Sequence, residues 1–444
     1  MQIIYHTVKP FDKLLKPQKV KQGEKYRPMY YVVEQLVEEG MLLYHTMTKA
    51  LLLLTPEEAD IYKTNPGDLP QLIEQWFLVP ESHDDRLLCR QIRDVAKMLE
   101  KKSDAITSYT ILTTTDCNAR CFYCYEMGRP RVHMSKETAG QTADYIIRHS
   151  FGEKVSLHWL GGEPLYNKKV ITLITEQLQE KGIEFTSTII SNGYLFNEET
   201  VKEAKELWKL KKAQITLDGT EQIYNRCKAY IYKNVNPYRI VINNIHRLLE
   251  KGIHVAIRLN IDIHNADNLL YLVEELQQEF HDCKGLIIYT HQLFEDSKGS
   301  IAIHDAEKRH KLFQRIIEIE KRITDYKLNI KSGLKPQVRL NRCMADNDHS
   351  IVVFPQGKIG KCQHYTENNY IGHICNEQKD NTMVKRFQIC REIAECTYCF
   401  RYPDCFWLQM CEDQPHCYPE ERDYLRHKTK QKMLEAYVKF INNL

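Results

Sequence analysis

The chain carries almost no surplus of charge: 62 Lys and Arg stand against 59 Asp and Glu, a formal net charge of +3. So small a surplus supplies no broad basic field to hold nucleic acid. Long apolar runs are missing as well. The longest aliphatic stretch, Leu51 to Leu54, is far too short to cross a bilayer. The first residues, MQIIYHTVKPFDKLLK, lack the apolar segment and small-residue cleavage site of an export signal, so a cytoplasmic location is expected. What remains is an ordinary globular balance, 43% hydrophobic and 27% charged over 444 residues, enough for two or three domains.

Cysteine is the exception to this ordinary balance. Fifteen are present, and a long chain with no export signal is a poor candidate for a disulfide scaffold. In a reducing compartment clustered cysteines bind metal more often. Cys117, Cys121 and Cys124 form one group, and a denser group runs from Cys343 to Cys417. Cys89, Cys227 and Cys283 stand alone and read as small buried hydrophobes.

Residues 1–27 are Lys-rich without a clear period and read as a partly extended arm. Residues 28–80 read as a small α+β unit, with strand-like runs at 29–36, 41–46 and 50–54. Thr55 can cap a helix opening on Pro56, and a short helix is expected over 69–77. Residues 81–105 read as a helical connector. From 106 to 325 strands and helices alternate. Strands are expected at 109–114, 155–159, 185–190, 214–217, 255–261 and 286–289. Helices are expected at 136–149, 168–181, 198–210, 238–250, 267–280 and 306–323. Six such units imply parallel strands with right-handed crossovers, an open (β/α)6 partial barrel in an α/β fold. Its chemistry belongs where strands end. Residues 326–444 form a Cys-rich tail that closes on a helix over 420–442, expected to pack on the barrel.

The first strand runs into TTTDCNARCFYCYE, so the CxxxCxxC group occupies the loop that follows it. Three thiolates can hold a four-iron cluster and leave one iron open to a chelating amino acid. Three cysteines alone also suit a zinc site short of one ligand. The second strand ends in Gly161-Gly162-Glu163-Pro164, the third in Ser191-Asn192-Gly193 and the fourth in Leu217-Asp218-Gly219; the fifth carries Arg258. In this order, and with Tyr123 before the last cysteine, these segments resemble the radical S-adenosylmethionine (SAM) superfamily. The resemblance implies a [4Fe–4S] cluster on Cys117, Cys121 and Cys124. It implies that Tyr123, Gly161, Gly162, Glu163, Ser191, Asn192, Asp218 and Arg258 surround SAM, with Arg258 toward its carboxylate and Glu163 toward its ammonium. The chemistry implied is reductive cleavage of SAM to a 5′-deoxyadenosyl radical, fed by reduced flavodoxin or ferredoxin.

In the tail, Cys343 is followed by thirteen residues, Gly357, four residues and Cys362; then come Cys396-x2-Cys399-x5-Cys405, Cys411 and Cys417. This resembles the SPASM extension of radical SAM maturases, which binds auxiliary four-iron clusters. The resemblance implies an outer cluster on Cys396, Cys399, Cys405 and Cys417, and an inner one on Cys343, Cys362 and Cys411. Five residues, not three, separate Cys405 from Cys411, so Cys411 and Cys417 could exchange roles. The resemblance thus leaves the inner cluster one protein ligand short, or completed by Cys375, Cys390 or a non-cysteine group, with Cys375 and Cys390 read as bystanders rather than ligands. A zinc-ribbon-like site is the alternative reading of the CxxC pair.

SPASM-containing enzymes mostly modify peptides. About a hundred residues precede the first cysteine motif, and the α+β unit within them is similar in topology to leader-recognition domains of ribosomal peptide maturases. A leader could join its sheet as an added strand. The expected partner is therefore a precursor peptide with a leader, and the expected product a thioether or carbon–carbon cross-link. The rivals are a sulfatase-maturing type of enzyme that makes formylglycine and, outside enzymology, a zinc-stabilised peptide-binding protein.

Overall fold

The computed structural model describes residues 1–444 except 22, 101–102, 125, 294–304, 329–333, 335–338, 365–368, 377–379, 390–392, 406–407, 409–416 and 444. Its strands are β1 (Gln2–Tyr5), β2 (Tyr26–Pro28), β3 (Val32–Val37), β4 (Gly40–His45), β5 (Leu51–Leu54), β6 (Leu78–Pro80), β7 (Ser108–Thr114), β8 (Val155–Gly161), β9 (Phe185–Ser191), β10 (Leu210–Leu217), β11 (His254–Ile261), β12 (Leu286–Gln292), β13 (Ser350–Val353), β14 (Lys358–Gly360) and β15 (Gly372–His373).

Strands β7 to β12 are parallel and lie side by side in sequence order. Helices Lys136–Ser150, Lys168–Glu180, Glu198–Glu206, Pro237–Glu250 and Ala266–Phe280 make the crossovers, and Ala306–Asp325 follows the last strand. Crossovers that always step to the next neighbour curl a sheet in one direction, which gives the expected open six-unit barrel. One set of alternate side chains, among them Tyr109, Ile111, Leu157, Trp159, Ile189, Ile215, Ile257 and Ile288, packs beneath the helices. The opposite row carries Thr110, His158, Thr188, Gln214, Thr216, Arg258 and Tyr289. The concave side therefore carries a mostly polar row, with a small apolar cluster of Leu112, Leu160, Val352 and Phe354 beside it.

Three features in and beside the barrel differ from the sequence reading. The helix expected over 198–210 stops at Glu206, because Lys209 takes left-handed backbone (φ +49°) and the chain turns into β10. An extra helix, Glu221–Lys228, follows β10. The Cys-rich tail also joins the barrel sheet. β13 pairs in parallel with β7, and β14 and β15 continue antiparallel, so the sheet has nine strands.

The residues read as an arm are partly woven into the N-terminal unit. β1 pairs antiparallel with β5, giving a four-stranded sheet of order β1-β5-β4-β3, and β2 pairs with β6. A four-residue strand among lysines has no period of its own; pairing with the Leu51–Leu54 run defines it. Thr55 does cap Pro56–Thr64, in a capping box with Glu58. The expected 69–77 helix is shorter, Pro70–Glu74. This unit is not a free-standing module. Its core includes Tyr402 and Leu408 of the tail, Tyr31 stacks on Tyr402 at 5.9 Å, and Thr46 Oγ1 donates to the Phe400 carbonyl at 2.6 Å. Buried Lys49 pairs with Asp404. The C-terminal helix Pro419–Ile441 packs on Ala306–Asp325 as expected, through the Arg309–Glu420 pair at 3.1 Å and the Phe313–Tyr424 stack at 5.3 Å. It also reaches the N-terminal sheet, where Met433, Ala436 and Tyr437 share a core with Val33, Leu42 and Leu51. Among the described residues no helix is long and apolar enough to cross a membrane.

Candidate active site

The cysteine loop leaves β7 at Thr114 and folds back along its own exit. Thr115 N–H donates to Val132 O and Met134 N–H to Thr113 O, each at 2.9 Å. Asp116 accepts from the Cys117 N–H at 2.8 Å, and Cys117 Sγ accepts from Ala119 N–H at 3.3 Å. Cys124 N–H donates to Cys121 O at 3.2 Å. Burial, the largest cause, pushes the Cys117 thiol up to about 12 and Cys121 to about 11, and raises Cys124; each also feels a neighbouring cysteine or carboxylate. Metal binding would therefore release protons here. Among the described residues no three His, Cys, Asp or Glu stand close enough to share one metal ion. A four-iron cluster asks something else: each thiolate takes a different iron.

The glycine pair explains how this loop is held. Gly162 N–H donates to Thr114 O and Glu163 N–H to Asp116 O, each at 2.9 Å. A Cβ on Gly161 would lie 2.1 Å from Thr114 O, and one on Gly162 2.3 Å from Asp116 O. The two glycines thus let the end of β8 lie directly on the backbone of the cysteine loop.

Glu163 is wholly buried, and its carboxylate faces the end of β9. It accepts from Leu165 N–H at 3.1 Å, Ser191 Oγ at 2.9 Å and Asn192 N–H at 2.8 Å. Burial outweighs these bonds and pushes it up to about 7. Asn192 in turn donates to Asn118 Oδ1 at 2.6 Å and lies 3.7 Å from Cys117 Sγ. Glu163, Ser191 and Asn192, singled out separately in the sequence, form one bonded group beside Cys117.

Tyr123 and Asp218 also meet. The Tyr123 hydroxyl donates to Asp218 Oδ1 at 2.7 Å, and Asn260 Nδ2 donates to the same oxygen at 2.9 Å. Lys228 Nζ lies 3.1 Å from Asp218 Oδ2 and donates to Tyr123 at 2.9 Å and Thr216 Oγ1 at 2.6 Å. Arg258 sits one row deeper on the concave face, with Nη2 2.9 Å from His291 Nδ1. Burial and then Arg258 push His291 down to about 4, so it is neutral at pH 7. Burial also lowers His158, which lies 2.8 Å from Thr188 Oγ1. Asn118, Lys228, Asn260, His158 and His291 carried no sequence signal; only the fold brings them here.

In the tail, Cys343 precedes β13 and Cys362 follows β14, so one hairpin carries both. Arg129 of the cysteine loop donates to the His364 carbonyl at 3.0 Å, which ties this hairpin to the first cysteine group. Cys396, Cys399 and Cys405 lie against the N-terminal unit, and Cys417 is close enough to Cys405 and Cys399 for their charges to raise it, after burial. Cys375 is exposed on the turn after β15. Cys390 and Cys411 fall outside the described residues.

A three-cysteine loop at the strand-end mouth of an open parallel barrel, cradled by glycine backbone and flanked by buried polar groups, defines a cluster-dependent α/β enzyme. The soft thiolate donor set fits a four-iron cluster with one open iron. Residues 111–278 match the radical SAM superfamily, and this part of the chain is a radical SAM domain. The chain thus carries a radical SAM domain, and the enzyme it forms uses SAM and a [4Fe–4S] cluster as cofactors. Among solved structures it is similar to native anSMEcpe with bound AdoMet and Cp18Cys peptide, at 17% identity and a TM-score of 0.55, over 76% of this chain and 98% of that one. It is also similar to Streptococcus suis SuiB bound to S-adenosylmethionine, at 14% identity and a TM-score of 0.53, over 85% and 94%. No curated protein matches the chain.

Proposed function

We propose that the protein is a maturase of ribosomally made peptides. The observation that carries this reading is the meeting, at one strand-end mouth, of the Cys117–Cys121–Cys124 loop with Glu163, Ser191, Asn192 and Asp218. Cys117, Cys121 and Cys124 hold the radical-forming cluster; Gly161, Gly162 and Glu163 seat its loop, and Ser191, Asn192, Tyr123, Asp218 and Arg258 border the SAM pocket. Together these cofactors supply a 5′-deoxyadenosyl radical that takes a hydrogen atom from a peptide residue. The chain's part is to orient the reactants and exclude water. The concave row around His158, Gln214, Arg258 and Tyr289 faces the substrate.

Cys396, Cys399, Cys405 and Cys417 form the outer auxiliary site, and the Cys343–Cys362 hairpin forms the inner one with Cys411. Such sites can accept the electron left after hydrogen abstraction, which suits oxidative closure of a thioether or carbon–carbon cross-link. The precursor's leader docks on the N-terminal sheet by strand addition. Its edges are β1 and β3; β3 is six residues long and presents Leu36, 62% exposed. The likeness to SuiB, whose structures include one bound to S-adenosylmethionine, spans more of this chain than the likeness to anSMEcpe does, 85% against 76%, which supports the peptide-maturase reading. Formylglycine synthesis is the second reading, favoured by the near-complete span of anSMEcpe.

Because the N-terminal unit shares its core with the tail, deleting it would expose tail residues such as Tyr402 and Leu408. The docking test is therefore a point change. Leu36→Asp should leave the fold and peptide-free SAM cleavage intact, and weaken leader binding in fluorescence anisotropy. Unchanged affinity would remove β3 as the dock. Modification of a cysteine-containing sulfatase peptide without any leader would favour formylglycine synthesis.

A further inference from the structure

Lys228 is the last residue of the short helix after β10 and lies wholly inside the protein, 2% exposed. A lysine is seldom buried unless its charge is matched. Here the match is Asp218, itself 1% exposed, at 3.1 Å. The remaining ammonium protons reach Tyr123 and Thr216, while Asn260 braces both Tyr123, at 3.1 Å, and Asp218. The lysine backbone takes part too: its carbonyl accepts from Arg120 N–H at 2.8 Å and lies 4.0 Å from Cys121 Sγ. Both ends of one residue therefore grip the cysteine loop, at Arg120–Cys121 and at Tyr123.

Resting on the radical SAM reading of this loop, we propose that Lys228 is a positioning residue for the catalytic cluster: it fixes the Cys121–Cys124 turn against the end of β10, and its charge favours the reduced cluster. The electrostatic part follows from sign. A cluster on three thiolates gains a negative charge on reduction, and a buried cation beside Cys121 stabilises that state. Asp218, which itself accepts from the Tyr123 hydroxyl, opposes it, and of the two charges the lysine acts the more strongly on Cys121. In a water-poor interior both effects persist at this range.

The two charges give the test opposite signs. In reconstituted full-length protein the relevant cluster is identified as the one whose EPR signal changes when SAM is added, and its midpoint potential is read by dye-mediated titration. Lys228→Met should shift that potential more negative, and Asp218→Asn should shift it more positive. Lys228→Arg should restore the parent value and the parent signal. The auxiliary clusters should keep their potentials in all three variants. Shifts of the same sign, or none, in Lys228→Met and Asp218→Asn overturn the proposal. If Lys228→Met loses iron, Asp218→Asn still decides by its sign, because there the lysine charge stands alone. A parent protein with no SAM-responsive cluster would instead overturn the radical SAM reading itself.

Discussion

Replacing Gly162 by Ala asks whether the glycine pair exists to seat the cysteine loop. The new Cβ would lie 2.3 Å from Asp116 O and 2.7 Å from Thr115 O, both backbone atoms that cannot swing aside. Forcing a methyl group into such a space costs about 1–3 kcal/mol. The loop must lift, and the Gly162–Thr114 and Glu163–Asp116 hydrogen bonds lengthen with it; each contributes about 0.5–1.5 kcal/mol. The sum is about 2–6 kcal/mol, enough to matter in a protein of ordinary stability. Gly140 is the control. It lies inside helix Lys136–Ser150, and its nearest neighbour is a flexible glutamine side chain at 3.8 Å, so Gly140→Ala should stabilise by up to about 1 kcal/mol. Urea denaturation of the apoprotein measures both, and iron analysis after reconstitution should show Gly162→Ala short of one cluster. A Gly162→Ala protein as stable as the parent, with full iron, would refute the argument.

The buried Glu163 should make stability depend on pH. Its folded value, about 7, lies above the ordinary 4.5. Its cost is therefore fully present above about pH 7, and stability rises as pH falls toward about 4.5, by up to about 3 kcal/mol. Urea midpoints of the parent should climb over that range, and Glu163→Gln should flatten the climb; identical slopes would contradict the assignment. Because the carboxylate holds Ser191 Oγ and the Asn192 N–H, the same change should also weaken SAM binding. Unchanged SAM affinity would remove Glu163 from the site. Replacing Cys117, Cys121 and Cys124 together by Ala should remove about four of roughly eight to twelve iron atoms and abolish 5′-deoxyadenosine formation. Loss of all iron would mean that the clusters are not independent.

The barrel was legible because three of its six strands end in residues that punctuate chain direction, Gly161-Gly162, Asn192-Gly193 and Asp218-Gly219, and a helical period follows each strand. The elements that escaped notice are those whose partners are distant in sequence. β1 is four residues whose mate is β5, and β13 is a short apolar run in a Cys-rich tail whose mate is β7. Neither pairing can be read from local pattern. The site shows the same division. Residue types and strand ends could be read, whereas contacts could not. The glycines turn toward the cysteine loop, and Glu163 toward Ser191 and Asn192. Lys228, in the last turn of a polar helix, has the sequence of a solvated residue; only the meeting with Asp218 and Tyr123 places it inside.

The most direct test of the central claim is anaerobic. Protein reconstituted with iron and sulfide is mixed with SAM and dithionite, and 5′-deoxyadenosine is followed by chromatography beside the EPR spectrum. The account predicts 5′-deoxyadenosine from the parent, none from the triple cysteine variant, and a reduced-cluster signal that changes on adding SAM. A protein that binds about one zinc per chain, takes up no iron and leaves SAM intact would contradict it.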